Sequence, residues 1–166
     1  VYRFVGRFFE ALVESGVEHV CLSPGSRSTP LCVSAEKTPG LRTWVGLDER
    51  ATSFFALGLA KTTGRPVALV CTSGTADRPP ELRDWGAGQT IEQVGLFGGY
   101  VRWAVDVPLA ERGRDGVRYA TQLAARAVDC SGGGSPGAVH LNWPFREPLP
   151  PPAGFFARDG EPTKRA

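Results

Sequence analysis

The sequence predicts an α/β fold in which helices flank a parallel sheet on both faces. Two observations lead to this prediction. Apolar runs of strand length alternate along the chain with runs whose apolar residues recur at helical spacing. Gly, Pro and Ser separate these runs, as they do at the turns of α/β domains. A chain of 166 residues has room for one such domain, and too little for two of ordinary size.

The first half of the chain reads as one helix followed by strand and helix in alternation. Apolar residues recur at helical spacing from Val1 to Val13, and Gly16 follows as the predicted C-terminal cap. Helical runs up to about Lys37 and over 49–62 then alternate with three short apolar runs, which predict strands at 19–23, 42–47 and 66–73.

The second half predicts a strand at 101–108, a long helix at 111–129 and a last strand at 138–145. We expect one domain over 1–147, because the prolines of 148–166 cannot continue a ladder and are typical of a linker to a further domain. One junction breaks the alternation. Three residues, Gly74 to Ala76, separate the third predicted strand from a loop-like stretch, whereas a parallel crossover needs about a dozen. We therefore expect that a helix and a strand are lacking after Ala76.

Composition excludes several classes of function. A net charge of +2 is too small to predict a nucleic-acid partner. The four cysteines include no CxxC pair, and neither histidine lies at metal-ligand spacing from them, so we expect reduced thiols and no metal site. No apolar run approaches the roughly 18 residues of a membrane span, and no signal-peptide pattern begins the chain. We expect a soluble, cytoplasmic protein.

Two polar segments follow predicted strands, at the edge where open parallel sheets bind ligands, and a third lies in a loop-rich stretch. In SPGSRSTP (23–30), backbone amides and Arg27 could receive an anion, although a tight turn with a solvated arginine explains the pattern equally. TSGTA (72–76) allows close backbone approach, or is a plain turn. DRPPELRDWGAGQT (77–90) carries Arg78, Arg83 and Gln89, and loop arginines are often only solvated.

An acid stands at the start of the helix predicted over 49–62. Asp48 is a good N-cap and Glu49 is an ordinary first-turn acid, so capping alone explains both. The helix that follows is apolar nearly all round, however, and we expect it to be buried. Burial would raise the pKa of Glu49, and the helix dipole would lower it. The sequence leaves open which effect is larger.

Four motifs together resemble the N-terminal domain of the 2-succinyl-5-enolpyruvyl-6-hydroxy-3-cyclohexene-1-carboxylate synthase family, thiamine-diphosphate enzymes of menaquinone biosynthesis. They are LSPGSRSTPL, DERATSFFALGLAKTTGRPVALVCTSGTA, DRPPELRDWGAGQT and GAVHLNWPFREPL. The resemblance implies a transferase that decarboxylates 2-oxoglutarate and adds the succinyl unit to isochorismate. It also implies a pyrimidine-binding domain, the cofactors thiamine diphosphate and Mg²⁺, and a homo-oligomer, dimer or tetramer, whose subunits share each active site.

The resemblance also implies roles for individual residues. Glu49 would be catalytic, hydrogen-bonding the N1′ atom of the cofactor's aminopyrimidine, which a raised pKa would favour. Pro24 and Thr75 would contact the pyrimidine. Four further residues would contact isochorismate, and arginine forks suit its carboxylates: they are Ser26, Arg27, Arg78 and Gln89.

The chain departs from the family pattern in three ways. The crossover after Ala76 is short. Trp85 and Gly88 replace a small residue and an asparagine, which puts the Gln89 loop in doubt. The family's middle and diphosphate-binding domains are absent, so we expect the 166 residues alone to be inactive. Two alternatives stay open: another thiamine-diphosphate decarboxylase or synthase domain, and a non-catalytic anion-binding or dimerisation module in which Glu49 is only a cap.

Overall fold

The computed structural model describes residues 1–72, 78–86, 88, 90–109 and 113–156. Within these residues, strands and helices alternate as the apolar pattern predicts. The helices are α1 (Tyr2–Glu14), α2 (Thr29–Lys37), α3 (Glu49–Thr63) and α4 (Arg114–Gly132). The strands are β1 (His19–Ser23), β2 (Arg42–Val45), β3 (Ala68–Cys71), β4 (Trp103–Asp106) and β5 (Val139–Asn142).

The strands form two parallel sheets. The first has the order β2-β1-β3, with His19 opposite Arg42 and Val20 opposite Ala68. The second contains β4 and β5, with Trp103 opposite Val139. The predicted α/β class with parallel strands is therefore confirmed. The sheet is interrupted, however, because the described residues between β3 and β4 form only short 3-10 turns and supply no strand that could join the two parts.

Helix α1 is the centre of the core because its apolar residues follow the 3.6-residue period. Val5 and Phe9 are fully buried, and the helix packs against both α2 and α4. It ends where predicted: Gly16 has φ +89°, and the amide of Val17 donates to the carbonyl of Leu12. Apolar residues of both sheets belong to one core cluster with α1, so the interruption of the sheet does not divide the core.

Helix α3 lies apart from the other three helices and packs on β1 and β3. The expectation that it is buried is wrong for the single chain. Only Thr52 and Ala56 are buried, whereas Phe54 is 69% exposed. An apolar pattern predicts that a helix face is buried. It does not show whether residues of the same chain or of another chain bury it.

Beyond β5, part of the predicted linker contacts α1. The Tyr2 hydroxyl donates to the carbonyl of Leu149, and the Tyr2 ring lies 5.5 Å from that of Phe155. Leu149 is buried, so the chain remains on the domain surface at least this far. Among the residues described, no helix is both long and apolar enough to cross a membrane.

Candidate functional site

The loops that follow β1 and β5 meet at one edge of the molecule. Arg27, which follows β1, directs its Nη1 atom to the carbonyl of Phe145 at 3.4 Å and to the carboxylate of Glu147 at 3.3 Å. Both partners follow β5. The carboxyl ends of the two sheets therefore lie on the same side, as the sequence analysis expected of a ligand-binding edge. Arg27 is three-quarters buried, so the alternative of a solvated arginine is wrong.

The loop after β1 also touches the end of β3. Gly25 has an extended backbone, and a Cβ atom built on it would lie 2.1 Å from Oγ1 of Thr72. Only glycine allows this approach. The Ser28 hydroxyl fixes the turn, since it accepts from the Gly25 amide and donates to the Gly25 carbonyl, both at 3.0 Å. The predicted turn is thus confirmed, and it leads through a 3-10 turn at Ser26–Ser28 into α2.

Asp48 and Glu49 have different roles at the start of α3, and only Asp48 caps the helix. The Asp48 carboxylate accepts from the Ala51 amide at 2.6 Å, so Asp48 is the N-cap. Glu49 is the first helical residue and is half-buried. Desolvation, and secondarily the negative charge of Glu49, raise the pKa of the Cys71 thiol. The acid side chain therefore lies near the carboxyl end of β3 and is not used as the cap.

Large apolar side chains are exposed on and beside α3. Leu47, just before the helix, is 98% exposed, and further apolar side chains are exposed on β2 and α3, namely Val45, Phe54, Phe55 and Leu57. We call these five residues the α3 patch. Such a cluster is unusual on an isolated soluble chain and typical of a surface that another polypeptide covers.

A polar network that the sequence analysis missed holds the loop 78–86 at the same edge. Arg83 donates to both carboxylate oxygens of Asp106, at 3.0 and 3.1 Å, and its Nε donates to the carbonyl of Arg78. Asn142 donates to the same carboxylate at 2.8 Å. Asp106 and Asn142 are the last residues of β4 and β5. Their position at the carboxyl ends of strands was the signal that could have identified them.

The remaining predicted residues are only partly defined. Pro24 and Ser26 are exposed on the loop after β1. Arg78 is half-buried, and its Nη2 donates to the carbonyl of Gly88 at 3.4 Å. Thr75 and Gln89 lie outside the described residues. Within the described part of the chain, the structure thus brings Arg27 and Arg78 to loops at the carboxyl edge and places Glu49 beside β3.

A groove of about 740 Å³ lies elsewhere, between the N-terminal ends of α1 and α4. Tyr2, Phe4, Val117 and Phe155 contribute to its wall, and none of the predicted site residues does. In the part of the chain that is described, no group of three or more His, Cys, Asp or Glu side chains is arranged to hold a metal ion.

Comparison with known proteins relates the chain to one family. Residues 4–76 match the family model described as the N-terminal TPP binding domain of thiamine pyrophosphate enzymes. The chain is also similar to curated proteins named 2-succinyl-5-enolpyruvyl-6-hydroxy-3-cyclohexene-1-carboxylate synthase. The protein of Geobacillus kaustophilus is 47% identical over 89% of this chain and 30% of its own length. Those of Roseiflexus sp. and Haloarcula marismortui are 47% and 48% identical over 86% and 84% of this chain, and 29% and 28% of their own lengths.

The alignments also show a difference in length. The alignment with the Geobacillus kaustophilus protein spans 171 positions, whereas 89% of this 166-residue chain is about 148 residues. About 23 aligned positions therefore have no residue here, and the Roseiflexus alignment gives about 24 by the same reasoning. The chain spans about 30% of the length of these relatives. The chain therefore belongs to the 2-succinyl-5-enolpyruvyl-6-hydroxy-3-cyclohexene-1-carboxylate synthase family, and its residues 4–76 match the N-terminal TPP binding domain of thiamine pyrophosphate enzymes.

Proposed function

We propose that this chain supplies the acid that activates thiamine diphosphate in a carboligase that decarboxylates 2-oxoglutarate and adds the succinyl unit to isochorismate. The single observation that carries the proposal is that Glu49 is half-buried and is not used as the helix cap. Asp48 satisfies the helix N-terminus, so the Glu49 carboxyl group is not needed as a cap. It lies instead near the carboxyl end of β3, where parallel sheets bind ligands.

The residues present suit the pyrimidine half of the cofactor. A carboxyl group beside β3 can hydrogen-bond a ring nitrogen, and the apolar side chains of the α3 patch would exclude water around it once another polypeptide covers them. When bound, the cofactor supplies a carbon centre that accepts electrons during decarboxylation. The work of Glu49 is to keep the proton at N1′. We assign no magnesium ligand to the described residues, and propose that the diphosphate and Mg²⁺ are held beyond this chain.

The arginines at the carboxyl edge suit substrates that carry carboxylates. Arg27 already pairs with Glu147, whose side chain is 64% exposed. An exposed carboxylate contributes little as a partner, so a substrate carboxylate can replace it at low cost. Arg78 would act beside Arg27, with Ser26 and Gln89 as polar contacts, and Pro24 and Thr75 would shape the pyrimidine pocket.

A second subunit would complete the site. Two residues of the α3 patch precede the helix that carries Glu49 and the other three lie further along it, so a polypeptide that covers the patch would also approach the acid. We propose that this polypeptide is a second copy of the same protein in a homodimer or a dimer of dimers. Sedimentation of a Phe54→Glu variant tests this step. We expect the variant to dissociate into smaller species, and an assembly of unchanged size would contradict the proposal.

The enzymatic proposal is tested in a protein that joins this chain to the remaining length of the Geobacillus kaustophilus relative. Glu49→Gln removes the titratable proton and is expected to lower kcat by about 10²–10⁴-fold with 2-oxoglutarate and isochorismate. Asp48→Asn is the matched control, because it makes the same chemical change one residue earlier and keeps the cap. Equal activity of both variants would leave Glu49 as an ordinary first-turn acid and refute the proposal.

A further inference from the structure

A row of hydrogen bonds runs from the end of the second sheet to the loop that carries Arg78. Asn142, the last residue of β5, is buried and donates to Oδ1 of Asp106 at 2.8 Å. Asp106, the last residue of β4, accepts at both carboxylate oxygens from Arg83. The Nε atom of Arg83 then donates to the main-chain carbonyl of Arg78 at 3.2 Å. The sheet thus holds the backbone of Arg78 through one carboxylate and one guanidinium.

The stretch between Arg78 and Arg83 is stiff. Its first two residues, Pro79 and Pro80, have fixed φ angles, and Pro79 is fully buried. The Leu82 amide donates to the carbonyl of Pro79 at 2.8 Å, which closes a 3-10 turn. Because little freedom remains between the two arginines, we expect a displacement of Arg83 to move Arg78 with it.

Two ion pairs hold this loop, and they differ in their exposure to water. The side chains of Arg83 and Asp106 are each less than one third exposed and pair through two parallel hydrogen bonds. Glu81 pairs with Arg146, and both of these side chains are about half exposed. A bidentate arginine–carboxylate pair fixes geometry, whereas an exposed ion pair contributes little. The carboxylate that holds the loop in place is therefore that of Asp106.

We propose that Asp106 is a positioning residue that determines how well the site binds the carboxylated acceptor substrate, because it sets the place of Arg78 through Arg83. This role rests on the proposed function, in which Arg78 contacts isochorismate. Asp106 itself touches neither substrate nor cofactor in this scheme. Glu49 lies beside the first sheet, so cofactor activation and the decarboxylation of 2-oxoglutarate should not depend on Asp106.

The test compares Asp106→Asn with Glu81→Gln in the fusion to the Geobacillus kaustophilus relative. Each variant removes one carboxylate from an ion pair of the same loop, so Glu81→Gln is the matched control. In Asp106→Asn an amide N–H₂ group replaces an acceptor, and a hydrogen bond from Arg83 is lost. We expect the KM for isochorismate to rise about tenfold or more. The rate of CO₂ release from 2-oxoglutarate in a single turnover without isochorismate should change by less than about twofold, and Glu81→Gln should change neither quantity by more than that.

A second variant and a second measurement separate positioning from loss of stability. Arg83→Lys keeps the positive charge and loses the planar fork that joins Asp106 to Arg78, so the same rise in KM for isochorismate is expected. Hydrogen exchange in the same proteins reports on the loop without reference to activity. The amides of Leu82 and Arg83 should exchange about threefold or more faster in both variants, and those of 19–23, in β1, should be unchanged.

Two results would overturn the proposal. One is unchanged exchange at Leu82 and Arg83 in both variants, because the loop then does not depend on the carboxylate. The other is an equal loss of isochorismate addition and of CO₂ release, which is the effect that reduced stability alone would produce. Failure of the proposed function would be seen elsewhere, since Glu49→Gln would then be as active as Asp48→Asn, a comparison that leaves the loop unchanged.

Discussion

The contact between Gly25 and Thr72 gives a quantitative prediction for the substitution Gly25→Ala. Gly25 has φ −143° and ψ 165°, which alanine adopts without strain, so backbone conformation adds no cost. The added Cβ would lie 2.1 Å from Oγ1 of Thr72, where ordinary contacts begin at 3.4 Å. Overpacking of this kind costs about 1–3 kcal/mol. We expect Gly25→Ala to lower the free energy of unfolding by about 2 kcal/mol.

A second substitution separates this clash from any general sensitivity of the loop. Thr72→Ala removes Oγ1 and leaves the Thr72 Cβ 3.4 Å from the new methyl group. Gly25→Ala should then cost much less in the Thr72→Ala background than in the parent, whereas Thr72→Val keeps an atom in the Oγ1 position and should not relieve the clash. Gly6→Ala is the control of opposite sign. No atom lies within 4 Å of its added Cβ, so it should stabilise α1 by about 1 kcal/mol.

Urea denaturation of the four variants and the two double variants measures these differences. The reasoning is refuted if Gly25→Ala costs less than about 0.5 kcal/mol, which is the usual scatter of such comparisons. It is refuted equally if Thr72→Ala gives no relief, because the loops after β1 and β3 would then not be in contact.

Two further predictions concern the second sheet. Arg83→Met should lower the free energy of unfolding, measured by urea denaturation, by about 2 kcal/mol. This value lies between those of exposed and buried ion pairs, because the side chains of Arg83 and Asp106 are 18% and 31% exposed. Asp106→Asn should cost less in the Arg83→Met background than in the parent, and additive costs would contradict the pairing. Burial lowers the pKa of His140, whose ring meets that of Phe97 at 4.8 Å. The unfolded chain therefore binds the His140 proton more tightly than the folded chain. The free energy of unfolding should fall as pH drops below 6.5, the ordinary pKa of histidine, and His140→Gln should reduce this pH dependence.

The sequence was sufficient for features that depend on neighbouring residues. The alternation of strand and helix, the Gly16 cap, the turn at Ser26–Ser28 and the capping role of Asp48 all follow from spacing or from local backbone chemistry, and the structure confirms them. The role of Glu49 and of the substrate-side residues stays a prediction.

Features that depend on distant partners were not predicted correctly. The partner of Arg83 lies 23 residues away, so a loop arginine could not be distinguished from a solvated one before β4 was positioned. The burial expected for α3 failed for a related reason, since the pattern of Phe54 and Leu57 does not name the chain that covers them. The sequence did indicate a short crossover after Ala76, whereas the pairing of β4 with β5 in a sheet of their own is shown only by the structure.

The central position of α1 has a mechanical consequence. Between β1 and β2, and between β1 and β3, rows of backbone hydrogen bonds oppose sliding. Between the two halves of the molecule, among the residues described, the connection consists instead of packed side chains from one helix, together with single contacts such as Arg27 to Phe145. The relative position of Glu49, beside the first sheet, and of Arg78, in the loop held by the second, is thus set by side-chain packing on α1 and not by a backbone ladder.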